Sequence, residues 1–384
     1  MPFAFTLEKA GRNLTFVPPE NLNEHRRISL RDVAKVVGVS HVTVSLALRH
    51  DPRVSAVRRC EIEAAAERLG YRPDPMLSSL AAYRQSRHPA TICSTIAWLN
   101  QWADPKALLR LHEFEAYWRG AGETAARLGY RLEEFVIGPD LSAARLQKIL
   151  TTRNVRGILI PPHLNGLDLP GFDWSLFSVV RFGASVKQPR AHIVTSDQTK
   201  CAAMAFMRIH ERGYRRIGYV SSRRYDRNTK GNFRAGYLSG QDQLTPVKAH
   251  LPPLFIEENP TAADARLFRR WLRSAAPDAI ITSQGELPRL LDEIGWKVPR
   301  DVAVATLSIA DGHFDSGVDQ NSVEIGRVAA STLASLVHQN ERGIPEYCRR
   351  ILVEGRWVDG TSLPKLPAKT GRQGPGAKPS SMPV

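Results

Sequence analysis

The stretch HVTVSLALR places His41, Val42, Ser45, Leu46 and Arg49 on one side of a helical wheel and Val44, Ala47 and Leu48 on the other. Val42 and Leu46 stand four residues apart and share a stripe. A small domain gains nothing by leaving two apolar side chains in water, so the stripe needs a partner. One reading is contact with thymine methyl groups in a DNA major groove; the other is packing against a neighbouring lobe. Thr43, Ser45 and the helix start at Ser40 can donate to phosphates, contacts that position a protein on a duplex without reading its sequence. Ser29, Arg31 and Arg49 complete the candidate DNA contacts.

The elements that must hold this face are legible on either side of it. Ser29-Leu30-Arg31-Asp32 has the form of a capping box, and the helix it starts runs to about Val37, burying Val33, Ala34 and Val37. Gly38-Val39-Ser40 makes the turn: Gly38 takes the positive φ that ends a helix, Val39 points inward and Ser40 caps the next helix. That helix, His41 to Leu48, buries Val44, Ala47 and Leu48. A third starts near Ser55, uses Ile62, Ala65, Ala66 and Leu69, and ends at Gly70. Cap, turn and burial pattern agree on an all-α, three-helix helix-turn-helix head rather than a generic helical hairpin.

The chain has 384 residues and a formal charge of +15. A basic balance favours a polyanionic partner and says nothing about fold. Twelve basic residues lie between Arg26 and Arg87 against six acidic ones, a local balance of +6. No apolar run approaches the ~18 residues of a membrane helix, and the start, MPFAFTLEKAGRNL, lacks the pattern of a secretory signal. A cytoplasmic protein is expected, with no membrane partner. Cys60, Cys93, Cys201 and Cys348 show no metal-ligand spacing, so neither a metal nor a disulfide framework is expected. Gly120-Ala121-Gly122 lacks the third glycine of a dinucleotide loop and sits in a helical pattern, which favours helix packing. There is no Walker loop, HExxH or GxSxG. Glu133-Glu134 and Glu257-Glu258 read as solvated faces, and the histidines are dispersed. The expectation is a binding protein without cofactors, not an enzyme.

From Thr91 to about Leu363, strand-like runs such as GILIPP, RIGYVSS and PDAIITS alternate with helical stretches, the pattern of an α/β domain with parallel sheets. The expected division is an extension over 1–25, the head over 26–73, a hinge and linker over 74–88, a two-lobed effector-binding and dimerisation domain over 89–363, and a disordered tail over 364–384. Pro75 to Arg84 can form a short helix with Pro75 at its first position, too short to be stable alone in water.

Residues 28–85, and DVAKVVGVSHVTVSLAL and AAAERLGYRPD above all, resemble the head of the LacI/GalR family of transcriptional regulators. The resemblance implies that the second helix enters the major groove and reads bases through His41, Val42 and Leu46. Leu46 cannot hydrogen-bond, so methyl contacts and shape carry more of the reading. It also implies that the hinge orders on the operator and that Leu80 wedges into the minor groove, kinking the duplex; covering the effector domain is the alternative for Leu77 and Leu80. Residues 91–363 are similar to the rest of that family, which shares its fold with periplasmic sugar-binding proteins: RIHERGYRRIGYV, NFRAGY, PDAIITS and WKVPRDVAV carry the likeness. It implies a periplasmic-binding-protein-like domain, lobe one from about 91–195 and 324–345, lobe two from about 196–323, with ligand in the cleft. Departures fall where ligand is held: Phe233 replaces an arginine, Arg234 coming one residue late, Ser283-Gln284 replaces Asn-Asp, and Ser308-Ile309 replaces an Asp pair. By position Trp102, Arg181, Asn228, Phe233 and Gln284 are expected to line the cleft, with packing or surface roles as the alternative. The whole reads as a dimeric, ligand-responsive repressor or activator on a near-palindromic double-stranded DNA operator. Its effector is a small molecule, with carbohydrate one candidate class, although the departures above count against a simple sugar and leave a different ligand, or none, open. The rival reading is the solute-binding module of a transport system.

Overall fold

The computed structural model describes residues 29–48, 54–69, 71, 94–138, 141–163, 166–311 and 313–367. The expected extension, hinge, Arg49 and Leu80 lie outside them, as do residues 368–384. The chain divides after Pro89 into two compact units.

In the first unit, α1 (Leu30–Val37), α2 (His41–Leu48) and α3 (Ala56–Arg68) surround one small core. Asp32 reaches back to Ser29, accepting from its backbone N–H at 2.9 Å and its hydroxyl at 2.6 Å. Gly38 ends α1 at φ +67°, a conformation that costs a residue with a Cβ and costs glycine little. Ser40 then accepts from the Thr43 N–H at 3.0 Å and starts α2, and Ser55 accepts from the Arg58 N–H at the start of α3. Val33, Ala34, Val44, Ala47, Val54, Ile62, Ala65 and Ala66 form the core; Val37, Val39, Leu46, Leu48 and Leu69 lie half-buried around it.

The second unit contains two six-stranded sheets. The first takes β1 (Ser94–Asn100), β2 (Tyr130–Val136), β3 (Gly157–Ile160), β4 (Ser178–Phe182), β5 (His192–Ser196) and β11 (Arg350–Val353), in the order β11-β5-β4-β3-β1-β2 and parallel throughout. The second takes β6 (Ile217–Ser222), β7 (Leu254–Ile256), β8 (Ala279–Thr282), β9 (Ala303–Thr306), β10 (Gly317–Asp319) and β12 (Arg356–Val358), in the order β12-β10-β9-β8-β6-β7, with only β12 antiparallel. Both lobes thus repeat the 2-1-3-4-5 winding, whose order reverses beside the first strand and leaves a crevice at the strands' carboxyl ends.

Helices cover both faces. α4 (Pro105–Arg110), α5 (His112–Arg127) and α6 (Ala143–Thr152) belong to the first lobe. To the second belong α7 (Gln198–Glu211), α8 (Arg223–Asn228), α9 (Asn232–Leu244), α10 (Ala262–Ala275) and α11 (Leu287–Glu293). α12 (Ser322–His338) returns to the first lobe and packs on α5. Gly120 and Gly326 allow that crossing: a Cβ on Gly120 would lie 1.9 Å from the Val323 carbonyl oxygen, and one on Gly326 2.2 Å from that of Tyr117. The Gly120-Ala121-Gly122 triplet lies inside α5, so the first glycine serves helix contact.

The chain passes between lobes three times: from β5 to α7, from β10 to α12, and from β11 to β12. The third crossing lies beyond the expected end of the return to lobe one near residue 345, in the 346–363 segment that the expected lobe boundaries leave out. β11 and β12 are only four and three residues long, too short to show alternation. Ser196 and Gln320 join the first two crossings through a buried hydrogen bond of 2.5 Å. Part of the segment expected as tail is held: the Tyr214 hydroxyl donates to the Pro364 carbonyl at 2.8 Å, and the Leu366 N–H to Arg212 at 2.9 Å. Among the described residues no helix is long and apolar enough to cross a membrane.

Candidate nucleic-acid interface and ligand cleft

On the head, the start of α2 presents His41 and Val42 outward, Val42 being 53% exposed. Arg31 on α1 is exposed too. Leu46, expected on the same outer stripe, is half-buried and rests against the head core. Four residues advance a helix by slightly more than one turn, enough to carry Leu46 from the outer face to the core's margin. Ser45 is also half-buried. Ser40 and Thr43 bond each other through their hydroxyls at 2.8 Å, and Ser29 is held by Asp32. These side chains build the helix starts, while His41 and Val42 stand free to meet a partner.

In the second unit a solvent-open cleft lies where the reversed winding places it, with a cavity volume of about 110 Å³. Segments after β1, β3 and β4 supply Trp102, His163 and Ser185. Helix α5 supplies Phe114 and Tyr117, and from the other lobe α8 supplies Tyr225 and Asn228. The Ser222 hydroxyl caps α8 by accepting from the Tyr225 N–H at 3.0 Å, which sets the face that α8 turns to the cleft.

Trp102 donates its indole N–H to the Pro162 carbonyl at 3.0 Å. His163 accepts at Nε2 from the Gln101 N–H at 3.0 Å, so its proton sits on Nδ1 and is donated to the Pro161 carbonyl at 2.8 Å. Burial pushes this imidazole down to about 4 against a weaker opposing effect of the Pro161 bond, and it stays neutral. Tyr117 donates to Glu113 at 2.6 Å, and Arg224 pairs with Glu258 at 2.6 Å on the second lobe. The cleft therefore offers aromatic faces from both lobes with a few placed polar groups, a lining that suits a small organic molecule.

Of the five residues expected here, Trp102 and Asn228 line the cleft and three do not. Phe233 is wholly buried, stacked on the ring of Tyr225 with centroids 5.8 Å apart. It supports a lining residue from behind, because its place near the start of α9 turns it into the core of the second lobe. Gln284 is buried and donates to the Glu257 carbonyl at 2.8 Å, fixing the loop that carries Glu258. Arg181 is buried in β4, its guanidinium donating to the Val186 carbonyl. Glu113, Phe114, Tyr117, His163, Thr195, Gln198 and Tyr225 were missed. Periodicity shows which residues leave a core, not which of those face a second lobe.

The family model for bacterial regulatory proteins of the lacI family matches residues 29–74, and that for a periplasmic binding protein-like domain matches 206–363. The chain is 26% identical over 335 residues to the HTH-type transcriptional regulator GntR of Escherichia coli (strain K12), covering 83% of this chain and 88% of that protein. It is 29% identical over 206 residues to the HTH-type transcriptional repressor CytR of the same strain, covering 50% of this chain and 53% of the repressor. Among solved structures, the transcriptional regulator CelR–cellobiose complex shares the fold with a TM-score of 0.54 at 20% identity, over 88% of this chain and 100% of that one. A capped trihelical head, a two-lobed α/β domain and these relationships converge: the chain carries a lacI-family helix-turn-helix domain and a periplasmic-binding-protein-like domain, is homologous to GntR and CytR, and is a DNA-binding transcriptional regulator.

Proposed function

We propose that the protein is a cytoplasmic, homodimeric repressor that binds a near-palindromic operator and is switched by a small molecule held between its lobes. The observation that carries the reading is the exposed pair His41 and Val42 at the start of a rigidly capped helix, in the same chain as an aromatic interlobe cleft. His41 and Val42 read base edges. Arg31, with Ser29, Ser40, Thr43, Ser45 and Arg49, faces the phosphates, Leu46 adds apolar contact from the rim of the head, and Leu80 is the minor-groove wedge. In the cleft Trp102 and Asn228 contact the effector, with Tyr225 from the second lobe. Cellobiose is bound by a structural relative, which makes a carbohydrate one effector class to test. A ligand preferring one lobe arrangement shifts the dimer between operator-competent and incompetent states. The protein acts by binding, without catalysis or cofactor.

Selection of bound duplexes from a random pool, with and without candidate effectors, tests this reading. A palindromic consensus should emerge. If the dimer meets some 6–10 phosphates, affinity should fall roughly 10³–10⁵-fold between 50 and 200 mM salt. Recovery of no consensus under any effector condition ends the proposal.

A further inference from the structure

We propose that the first lobe carries a second binding site, for a phosphate or carboxylate group, formed by Arg181, Arg190 and Arg350 on the sheet face turned away from α12. The register puts the site together. Arg181 on β4 and Arg350 on β11 both stand beside Ile193 of β5, so the two arginines share a face. Val180 and Phe182, to either side of Arg181, pack toward α12, as do Ile351 and Val353 after Arg350. Alternation along a strand therefore sends Arg181 and Arg350 to the opposite side. The segment joining β4 to β5 folds over that side, since Val186 and Ala191 belong to its core, and it brings Arg190.

The anomaly lies in the charge. Arg181 is only 9% exposed, and its Nε has no hydrogen-bond partner. One of its terminal nitrogens meets a backbone carbonyl, that of Val186. None of the three arginines forms an ion pair with a described carboxylate, whereas Arg153, Arg212 and Arg356 each have one. A guanidinium does not escape burial by losing its proton, and a buried charge is costly unless paired. Burial above all depresses Arg181 from its ordinary value; Cys348 opposes this, and the like charges of Arg350 and Arg190 add to it. An oxyanion bridging the three would supply both the missing counter-charge and an acceptor for the idle N–H. The planar fork of arginine suits phosphate and carboxylate alike.

The test is thermal unfolding of the full chain in inorganic phosphate, in succinate and in sodium chloride of equal ionic strength. The native protein should gain about 2–4 °C over chloride at roughly tenfold saturation. A gain in phosphate alone identifies a phosphate site, and a gain in succinate alone a carboxylate site. Phosphate also stabilises proteins generally by exclusion from their surfaces, so the Arg190→Gln/Arg350→Gln double variant, altered only at exposed positions, must lose the gain. No gain in the native protein, or an equal gain in the variant, overturns the site. Arg181→Met should unfold no earlier than the native chain in chloride; a markedly lower midpoint there would mean the guanidinium is satisfied within the fold, and would also overturn it.

Discussion

Gly120 and Gly122 stand two residues apart in α5, and alanine should act on them with opposite sign. In an isolated helix Gly→Ala stabilises by about 1 kcal/mol, because alanine loses less backbone entropy on folding. At Gly122 the new methyl would meet only the Leu132 side chain at 3.9 Å, an ordinary contact. Gly122→Ala should therefore gain roughly 0.5–1 kcal/mol. At Gly120 the methyl would lie 1.9 Å from the Val323 carbonyl oxygen and 3.2 Å from the Arg327 nitrogen, both backbone atoms of α12. Restoring an ordinary contact of 3.4 Å parts the two helices by about 1.5 Å. Ala121, Ile325, Ala329 and Leu333 are wholly buried around this crossing and would lose contact as it opened. Overpacking costs about 1–3 kcal/mol; because the clash is with backbone, which cannot swing aside, the cost lies in the upper part of that range and outweighs the propensity gain, so Gly120→Ala should destabilise. Urea unfolding followed by tryptophan fluorescence suits the measurement, since Trp98 and Trp118 sit in this core with rings 5.3 Å apart. Midpoints moving in the same direction for both variants would refute the assignment of Gly120 to the crossing.

Phe233→Ala should cost about 3–5 kcal/mol in urea unfolding, whereas Asn228→Ala should change stability by under about 0.5 kcal/mol and weaken effector binding; equal stability losses would place Asn228 in the core. His163, neutral in the fold at about 4, takes up a proton on unfolding between that value and the ordinary 6.5. Its contribution is thus complete above pH 6.5, declines as pH falls through that window and levels off below about 4, on the order of 3 kcal/mol in all. An NMR titration of this ring with an inflection above pH 6 would contradict the burial. Ser40→Ala removes the acceptor of the Thr43 N–H and should cost the head about 1 kcal/mol, read as a lower midpoint for loss of operator binding on heating. An unchanged midpoint would show that the cap is dispensable.

Several parts of the site could be read from residue order because their causes are local. A serine that caps, a glycine at positive φ and apolar side chains at helical spacing act within one or two turns. Ser29, Gly38, Ser40 and the core of Val33, Val44 and Ile62 took their expected places for that reason. The cleft was only partly legible. Trp102 and Asn228 follow strand ends, where the winding opens. Gln284 also follows a strand end and Phe233 lies at the start of the next helix after α8, but both turn inward, one beneath the Glu257 loop and the other behind Tyr225.

By itself the sequence determined the two kinds of architecture, the capped helix that holds His41 and Val42 forward, and the alternation that winds each lobe, because hydrophobic period and capping chemistry are properties of short segments. Only the tertiary structure decided that Leu46 leans on the head core, that β11 and β12 make a third crossing, that Tyr117 and Tyr225 approach one cavity from different lobes, and that Arg181 and Arg350 share a sheet face. Those relations join residues that are distant in the chain. They depend on strand order and register, which no local pattern contains.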